Sequence, residues 1–265
     1  MTMIIAGVDG TGPSADDEYA VAFKASHVSK LAKSHPEFAT AKYLRGPSAS
    51  GFATQGIANN IAIWVQQYTD LMKLLRKENP NVNIPIPEIY LTGYSRGGAA
   101  VINACHQLKE RGIKVHCLLL FDAVDRSTIG DTDIIPDNVK FAFHARRSEL
   151  AGSREMFGNC GKIAAAGVKY EEAFFFCTHG GVGGTPWDEA KPSGYIHEMT
   201  SGQKAGMRTV GAAGGILALK AANDFIREND PTNVTLEQDK AGSRASWEWM
   251  RTKMQSVRHL SLLTG

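Results

Sequence analysis

The sequence has few features of a metal-binding, nucleic-acid-binding or membrane-spanning protein. Its cysteines, Cys105, Cys117, Cys160 and Cys177, have neither metal-ligand nor paired spacing, so we expect buried free thiols in a reducing compartment. Charged residues make up 21% of the chain, the formal net charge is +2, and Lys and Arg form no cluster, which argues against binding to nucleic acid. The longest apolar runs are too short for a transmembrane helix.

The length and hydrophobic content favour one globular unit. With 265 residues, 43% of them hydrophobic, the chain can bury one sizeable core, and we expect a single domain over residues 1–265. The N-terminus, MTMIIAGVDG, has no basic region before its apolar run, so we interpret it as a first strand and not as a signal peptide. We therefore expect either a cytoplasmic location or export by a route that needs no such signal.

Strand-like and helix-like segments alternate along the chain. Apolar runs predict strands within 3–8, 41–47, 87–95, 113–125, 138–148 and 170–181. Amphipathic spacing predicts helices within 16–36, 57–80, 96–112, 204–230 and 243–257, with Gly112 as the C-cap of the third. Strands that are almost wholly apolar and alternate with helices indicate an α/β fold, with a mostly parallel sheet covered on both faces.

Polar residues follow the predicted strands at the point where each one ends. In an open α/β sheet these carboxyl ends meet at one edge, which is where ligands bind. We therefore expect one site that collects Asp9-Gly10-Thr11, Ser95-Arg96, Asp122 to Asp125, His144 and His179.

The stretch GYSRGG, residues 93–98, lies between a predicted strand and a predicted helix. It contains the pattern G-x-S-x-G, which forms the nucleophile elbow of α/β-hydrolases. The turn is so tight that glycines must flank the serine, and the helix directs its free amides toward the reacting oxygen. Ser95 is therefore the candidate nucleophile.

A serine nucleophile needs a general base and an acid that orients it, in the chain order Ser, Asp or Glu, His. Asp122 ends a strand and Asp125 follows three residues later; either is a candidate acid, and the strand end favours Asp122. His179 follows the apolar run AFFFC among glycines, where a free loop would carry the imidazole to Ser95. His144 lies inside a predicted strand, so we interpret it as a packed or pocket-lining histidine.

The series of motifs resembles the α/β-hydrolase domain of type VI secretion phospholipase effectors, a superfamily formerly filed as a domain of unknown function. The resemblance covers about residues 5–185 and rests on D-G-T at Asp9, GYSRGG, D-A-V at Asp122, HARRSE at His144 and THGGVGG around His179. It implies that Ser95, Asp122 and His179 form a catalytic triad. It also implies an oxyanion hole made by the amide of Arg96 and an amide at Gly10 or Thr11.

Two departures from that family bear on the substrate. Gly181 stands where the family has an Asp two residues after the His, so we expect the role of that carboxylate to be absent. This sequence is also compact, so we expect the family's long membrane-binding additions to be absent. Both departures weaken the prediction of a phospholipid substrate more than the prediction of hydrolase chemistry.

Arg96 carries a charge beside the nucleophile and needs its own explanation. Either its guanidinium pairs with Asp9 and ties the first strand to the elbow, which we favour, or it binds an anionic head group. We also expect two segments, 46–56 and 148–167, to cover the site, with Phe52, Met156 and Phe157 as apolar contacts.

Together these patterns predict a serine hydrolase that cleaves a carboxylic ester, of a lipid or another acyl compound, without a metal or organic cofactor. The expected partner is a small-molecule or lipid ester, with transient membrane contact. The alternatives are a thioesterase or amidase with the same triad, and a non-catalytic binding module with an α/β-hydrolase fold.

Overall fold

The structure of the protein, a computed structural model, describes residues 2–47, 53–125, 131–155, 157–191, 193–199 and 201–264. Its strands are β1 (Met3–Val8), β2 (Thr40–Leu44), β3 (Glu88–Tyr94), β4 (Val115–Phe121), β5 (Ile134–Ile135), β6 (Val139–Arg147), β7 (Ile163–Ala164), β8 (Lys169–Phe175), β9 (Tyr195–His197) and β10 (Pro231–Thr235). Its helices are α1 (Asp16–Ala22), α2 (His27–Ser34), α3 (Thr54–Glu78), α4 (Arg96–Glu110), α5 (His179–Val182), α6 (Ser201–Ala213), α7 (Ile216–Asn229) and α8 (Leu236–Thr264).

A six-stranded sheet, in the order β2-β1-β3-β4-β6-β8, forms the centre of the fold. Its neighbouring strands all pair in parallel. Parallel neighbours need crossover connections, and helices supply them between the central strands. The carboxyl ends of these strands therefore lie along one edge of the sheet, as the strand-end prediction requires.

The sheet buries both of its faces because its strands alternate side chains between two cores. In β1, Ile4, Ala6 and Val8 face a core built with α3 and α4, with Ile61 and Val65 of α3 among its buried residues. Met3 and Ile5 face the other core, to which α2 contributes Val28 and Leu31 and α8 contributes Met250, Met254 and Val257. The mostly parallel, two-sided α/β architecture is thus confirmed.

Two helices predicted as continuous are each divided in the structure. The segment 16–36 forms α1 and α2, because Ser26 caps α2 by accepting a hydrogen bond from the Ser29 amide. The segment 204–230 forms α6 and α7, and Gly215 between them has a φ of 90°, which glycine adopts readily. By contrast, Gly112 follows α4 with a φ of 66°, in the left-handed conformation expected of a residue that ends a helix.

The last strand of the sheet is an edge strand and not the buried strand that its aromatic run suggested. Most residues of β8 are exposed or half-buried, and Phe174 is 52% exposed. Cys105, Cys117, Cys160 and Cys177 are free and buried, as predicted. Among the described helices, none has an apolar stretch long enough to cross a membrane.

Candidate active site

Ser95 occupies a strained turn between β3 and α4. Its φ of 54° and ψ of −128° place a non-glycine residue in a conformation that costs on the order of 1–3 kcal/mol, and such residues cluster at functional sites. Its amide donates to the carbonyl of Phe121 at 3.1 Å, and its carbonyl accepts from the amide of Val124 at 3.0 Å. These bonds hold the serine turn against the end of β4.

The glycines around Ser95 are required by close backbone approaches. A Cβ at Gly97 would overlap the carbonyl oxygens of Val8 and Asp9, and a Cβ at Gly93 would lie 2.5 Å from the carbonyl oxygen of Gly97. A parallel sheet covered by helices and a strand–Ser–helix turn of this kind make an α/β-hydrolase-like fold, as the sequence predicted.

The structure brings Ser95, His179 and Asp122 together across three separate chain segments. The Oγ of Ser95 lies 2.9 Å from Nε2 of His179, and Nδ1 of the same ring lies 2.6 Å from Oδ2 of Asp122. All three side chains are buried. With the proton on Nδ1 donated to Asp122, Nε2 is free to accept the proton of the serine hydroxyl.

Asp122 is surrounded by donors. Its Oδ2 also accepts from Nη1 of Arg147 at 2.5 Å, and its Oδ1 accepts from the Asn159 side chain at 2.8 Å and from the Arg147 amide at 3.2 Å. Burial alone would raise the pKa of the Asp122 carboxyl, but the charge of Arg147 and the hydrogen bond with His179 hold that pKa well below the ordinary range. Asp122 is therefore ionised, and its φ of 46° marks it as a second strained residue.

The sequence assigned no role to Arg147 or Asn159, although Arg147 lies in the motif HARRSE and in the predicted strand 138–148. Arg147 reaches beyond Asp122: its Nε donates to the Ser153 carbonyl at 2.7 Å, and its Nη2 donates to the carbonyls of Arg154 and Phe157 at 2.9 and 2.6 Å. One guanidinium thus joins the acid to the segment that follows β6.

His179 is held by an ordered helix start, and not by the free loop that the glycines suggested. It is the first residue of α5, and its amide donates to Oγ of Ser153 at 2.7 Å. The ring of Tyr94 lies 5.0 Å from the imidazole, and the ring of Phe157 meets it edge to face at 5.8 Å. Burial lowers the pKa of His179 from its usual 6.5, while Asp122 opposes that shift. The imidazole is therefore neutral near pH 7, as a general base must be.

The other candidates near the acid occupy supporting positions. Asp125 accepts a hydrogen bond from the Thr132 hydroxyl at 2.5 Å, so the acid in contact with the imidazole is Asp122. His144 is fully buried and accepts at Nε2 from the amide of Ala123 at 3.0 Å. Burial lowers the pKa of His144 to about 4, and the neutral ring braces the residue that follows Asp122.

Asp9 has other partners than the predicted Arg96. Its Oδ2 accepts from the hydroxyls of Ser26 and Tyr43, both at 2.7 Å, and its Oδ1 is buried without a hydrogen-bond partner among the described residues. Burial raises the pKa of Asp9 to about 7, although both hydroxyls oppose the rise. The described hydrogen-bond donors to Asp9 are therefore Ser26, which caps α2, and Tyr43 of β2, in place of the predicted Arg96.

A cavity of about 560 Å³ opens beside Ser95 and His179, and Thr11, Tyr94, Arg96, Val124, Arg154 and Phe157 are part of its wall. The predicted oxyanion-hole segments both reach it: Arg96 and Thr11 line it, and a Cβ at Gly10 would lie 3.0 Å from Cβ of Ser95. The loop after β1 is fixed by the Tyr19 hydroxyl, which donates to the Gly10 carbonyl at 2.7 Å. The side-chain oxygen of Thr11 is buried without a described hydrogen-bond partner.

The two segments predicted to cover the site are described only in part. Phe52 and Met156 lie outside the described residues. Phe157, from the second segment, lines the cavity and contacts the imidazole. No group of three His, Cys, Asp or Glu side chains in the described ranges is placed to hold a metal ion.

The carboxylate that Gly181 lacks is supplied from another part of the chain. A Cβ at Gly181 would overlap Oδ1 of Asp239, from α8. That oxygen accepts from the amide and hydroxyl of Thr178 at 2.7 and 2.8 Å, immediately before His179. A carboxyl group therefore lies at this place after all, although Asp239 comes from 58 positions further along the sequence.

Comparisons with known proteins give structural similarity alone. No family model matches the chain, and no curated protein matches it. An uncharacterized protein from Pseudomonas aeruginosa aligns at 14% identity and a TM-score of 0.47, over 95% of this chain and 50% of that protein, so the chain spans about half its length. A cutinase-like protein from Cryptococcus sp. aligns at 16% identity and a TM-score of 0.21, over 54% of this chain and 52% of that one. RedJ, solved with a PEG molecule bound in its active site, aligns at 12% identity and a TM-score of 0.34, over 69% of this chain and 88% of that one.

Proposed function

We propose that this protein is a serine hydrolase that cleaves a carboxylic ester through an acyl-enzyme. The observation that carries the proposal is the unbroken line from Ser95 Oγ through both nitrogens of His179 to Asp122, with spacings of 2.9 and 2.6 Å. A neutral imidazole between a hydroxyl and an ionised carboxylate is the arrangement that activates a serine.

In this proposal Ser95 attacks the ester carbonyl while His179 Nε2 takes the hydroxyl proton. The tetrahedral intermediate collapses, the C–O bond to the alcohol breaks, and the leaving oxygen receives that proton from the imidazolium. Water then enters, gives a proton to His179 and attacks the acyl group. The second collapse releases the carboxylic acid and returns the proton to Ser95. Asp122 stabilises the imidazolium that forms twice in the cycle.

The oxyanion that forms on the carbonyl needs preorganised donors. The amide of Arg96 is at the first position of α4, where an amide has no intrahelical partner. The loop at Gly10 and Thr11 supplies the second donor in the proposal, and the Tyr19 hydroxyl holds that loop in place. The strained φ of Ser95 is then part of the mechanism, because it sets the hydroxyl and the first helix amide on the same side.

We propose a lipid or other acyl ester as the substrate, which is also what the resemblance to phospholipase effectors implies. Val124, Tyr94 and Phe157 give the cavity an apolar wall suited to an acyl chain. The Asp239 side chain supports this resemblance further, because it brings a carboxyl group to the place where Gly181 departs from the family.

The test is a panel of para-nitrophenyl esters, thioesters and anilides together with phospholipids, assayed with wild type and Ser95→Ala. We expect ester cleavage with an initial burst, and a covalent acyl adduct at Ser95 by intact-mass spectrometry. Faster cleavage of thioesters or anilides than of the matched esters would assign a thioesterase or an amidase. No turnover of any member, with no adduct at Ser95, would favour the non-catalytic binding module.

A further inference from the structure

Three non-glycine residues have a positive φ in the described part of the chain, and all three lie at the candidate active site. Two are Ser95 and Asp122; the third is Arg154, with a φ of 49°. Strain of this kind persists where the surrounding structure enforces it, and it concentrates at catalytic and ligand-binding residues. Arg154 does not belong to the Ser–His–Asp line, so its strain needs a separate explanation.

Arg154 lies between a buried carboxylate and an aromatic ring. Its Nε is 3.6 Å from Oε1 of Glu198, and Nη2 donates to the Glu198 carbonyl at 3.4 Å. Its Cζ lies 5.2 Å from the ring centroid of Phe157, the ring that meets His179. Glu198 is itself anchored by the Ser153 hydroxyl at 3.0 and 3.1 Å. These contacts hold the guanidinium of Arg154 against the Phe157 ring, which in turn contacts the imidazole of His179.

The charge that this cavity offers a ligand is positive. Among its described lining residues the permanently charged side chains are Arg96 and Arg154, and none is a carboxylate. The Nε of Arg154 is buried and makes no hydrogen bond to a described residue. A guanidinium has five N–H donors in a planar fork that matches a carboxylate or phosphate group, and its field is screened less inside a cavity than at an open surface.

Contacts with a glutamate and an aromatic ring do not by themselves account for the strained backbone of Arg154. Arg146, on β6, makes the same two kinds of contact: it pairs with Glu172 at 2.8 Å and lies over the Phe174 ring at 4.8 Å. It does so without a positive φ and away from the cavity. Pairing with a glutamate and stacking on a phenylalanine therefore need no strained backbone. At Arg154 the backbone carbonyl also accepts from Nη2 of Arg147 at 2.9 Å, and the side chain places a cation in the wall of the cavity.

We propose that the ester cleaved at this site carries a negative charge near its scissile bond, as a carboxylate or phosphate group, and that Arg154 binds this charge. The inference rests on the proposed function and narrows its substrate class. Arg96 is the second cation of the same cavity.

The experiment compares two matched substrate pairs. Para-nitrophenyl butyrate and mono(para-nitrophenyl) succinate have acyl chains of equal length that end in a methyl group and in a carboxylate. Dihexanoylglycerol and dihexanoyl phosphatidic acid differ by a phosphate group. Each is assayed as a monomer in solution with wild type, Arg154→Gln, Arg154→Lys and the control Arg146→Gln, which also loses a glutamate partner and a ring contact.

We expect wild type to prefer the anionic member of at least one pair by roughly tenfold or more in kcat/KM, the size of one charged hydrogen bond. Arg154→Gln should reduce that preference by about tenfold, mainly through KM, and Arg154→Lys should retain part of it. Arg146→Gln should keep the wild-type ratio. A preference in the first pair alone would identify a carboxylate, and one in the second pair alone a phosphate group.

Equal rates within both pairs for wild type would overturn the inference and leave the proposed hydrolase intact. Equal losses on anionic and neutral members in Arg154→Gln would also overturn it, because Arg154 would then only brace the site. A binding measurement tests the inference without turnover. In it, Ser95→Ala is titrated with monomethyl succinate and with methyl butyrate and followed by NMR. Tighter binding of the succinate, lost on adding Arg154→Gln, would support the inference even if ester cleavage failed, and equal binding would contradict it.

Discussion

Two cavities of similar size lie at opposite ends of the central sheet. One, of about 560 Å³, lies at the carboxyl ends of the strands and contains Ser95 and His179. The other, of about 610 Å³, lies at their amino ends, where Glu88 and His116 line it. Each contains a histidine near a carboxylate: Nδ1 of His116 is 3.2 Å from Oε1 of Glu88. Neither size nor a His–carboxylate pair therefore distinguishes a catalytic cavity.

The two cavities differ in the backbone conformation of their residues and in the partner of their hydroxyl group. At the carboxyl ends, strained turns after β3 and β4 present Ser95 and Asp122 to the same imidazole. At the amino ends Thr69 lines the cavity, but its hydroxyl donates to the Val65 carbonyl within α3. Of these two cavities, we therefore propose the first as the place of the chemistry.

The largest contrast is expected between the two histidines. His179→Ala removes the general base and should lower kcat by about four orders of magnitude or more, as for the base of other serine hydrolases. His116→Ala should leave kcat within about threefold. Steady-state kinetics on one responsive ester, with circular dichroism to establish folding, provides the test; a comparable loss in both variants would break the comparison.

The two acids should differ nearly as much. Asp122→Asn keeps the side-chain volume but permits the wrong imidazole tautomer, so kcat should fall by about three orders of magnitude. Asp125→Asn, which changes a contact with Thr132, should cost less than tenfold, as should Glu88→Gln in the other cavity. If Asp125→Asn lowers kcat more than Asp122→Asn does, the assignment of the acid is wrong.

Arg147→Gln tests whether the function of Asp122 depends on the positive charge of Arg147. It leaves the buried Asp122 charge with fewer donors, which typically destabilises a protein by about 3–5 kcal/mol. We expect a lower melting temperature and a roughly 10- to 100-fold lower kcat/KM. Arg147→Lys should recover little, because an ammonium cannot reach Asp122 and three carbonyls together. Arg146→Gln, at the neighbouring position, is the control, and an equal loss there would contradict the assignment.

The effect expected to be smallest is on the pH profile. Protonation of His179 blocks the base, and burial holds its pKa below 6.5, so kcat/KM should be flat near neutral pH and fall with a midpoint below pH 6.5. Because the charge of Arg147 contributes to that lowering, Arg147→Gln should move the midpoint upward. A wild-type midpoint above 6.5 would contradict the buried, neutral base.

Much of the fold and the Ser–His–Asp series could be predicted from the sequence because those signals are local. Each of these signals involves only a few neighbouring residues. They are the apolar runs, the glycines around Ser95, and the positions of Asp122 and His179 just after predicted strands. The supporting partners could not be predicted in the same way. Asp239 approaches Thr178 across 61 positions and Glu198 approaches Ser153 across 45, so only the folded chain brings them together. Asp9 illustrates the opposite error. The expected nearness of its strand end to the elbow suggested Arg96 as its partner, but the described partners of its Oδ2 are the hydroxyls of Ser26 and Tyr43.

The most direct test of the central claim is labelling with a fluorophosphonate probe, which reacts only with an activated serine. Wild type and His116→Ala should each take up one equivalent, and peptide mapping should place it at Ser95. Ser95→Ala and His179→Ala should show no labelling on the same timescale. Labelling at another residue, or labelling of Ser95 that survives His179→Ala at the wild-type rate, would contradict the account.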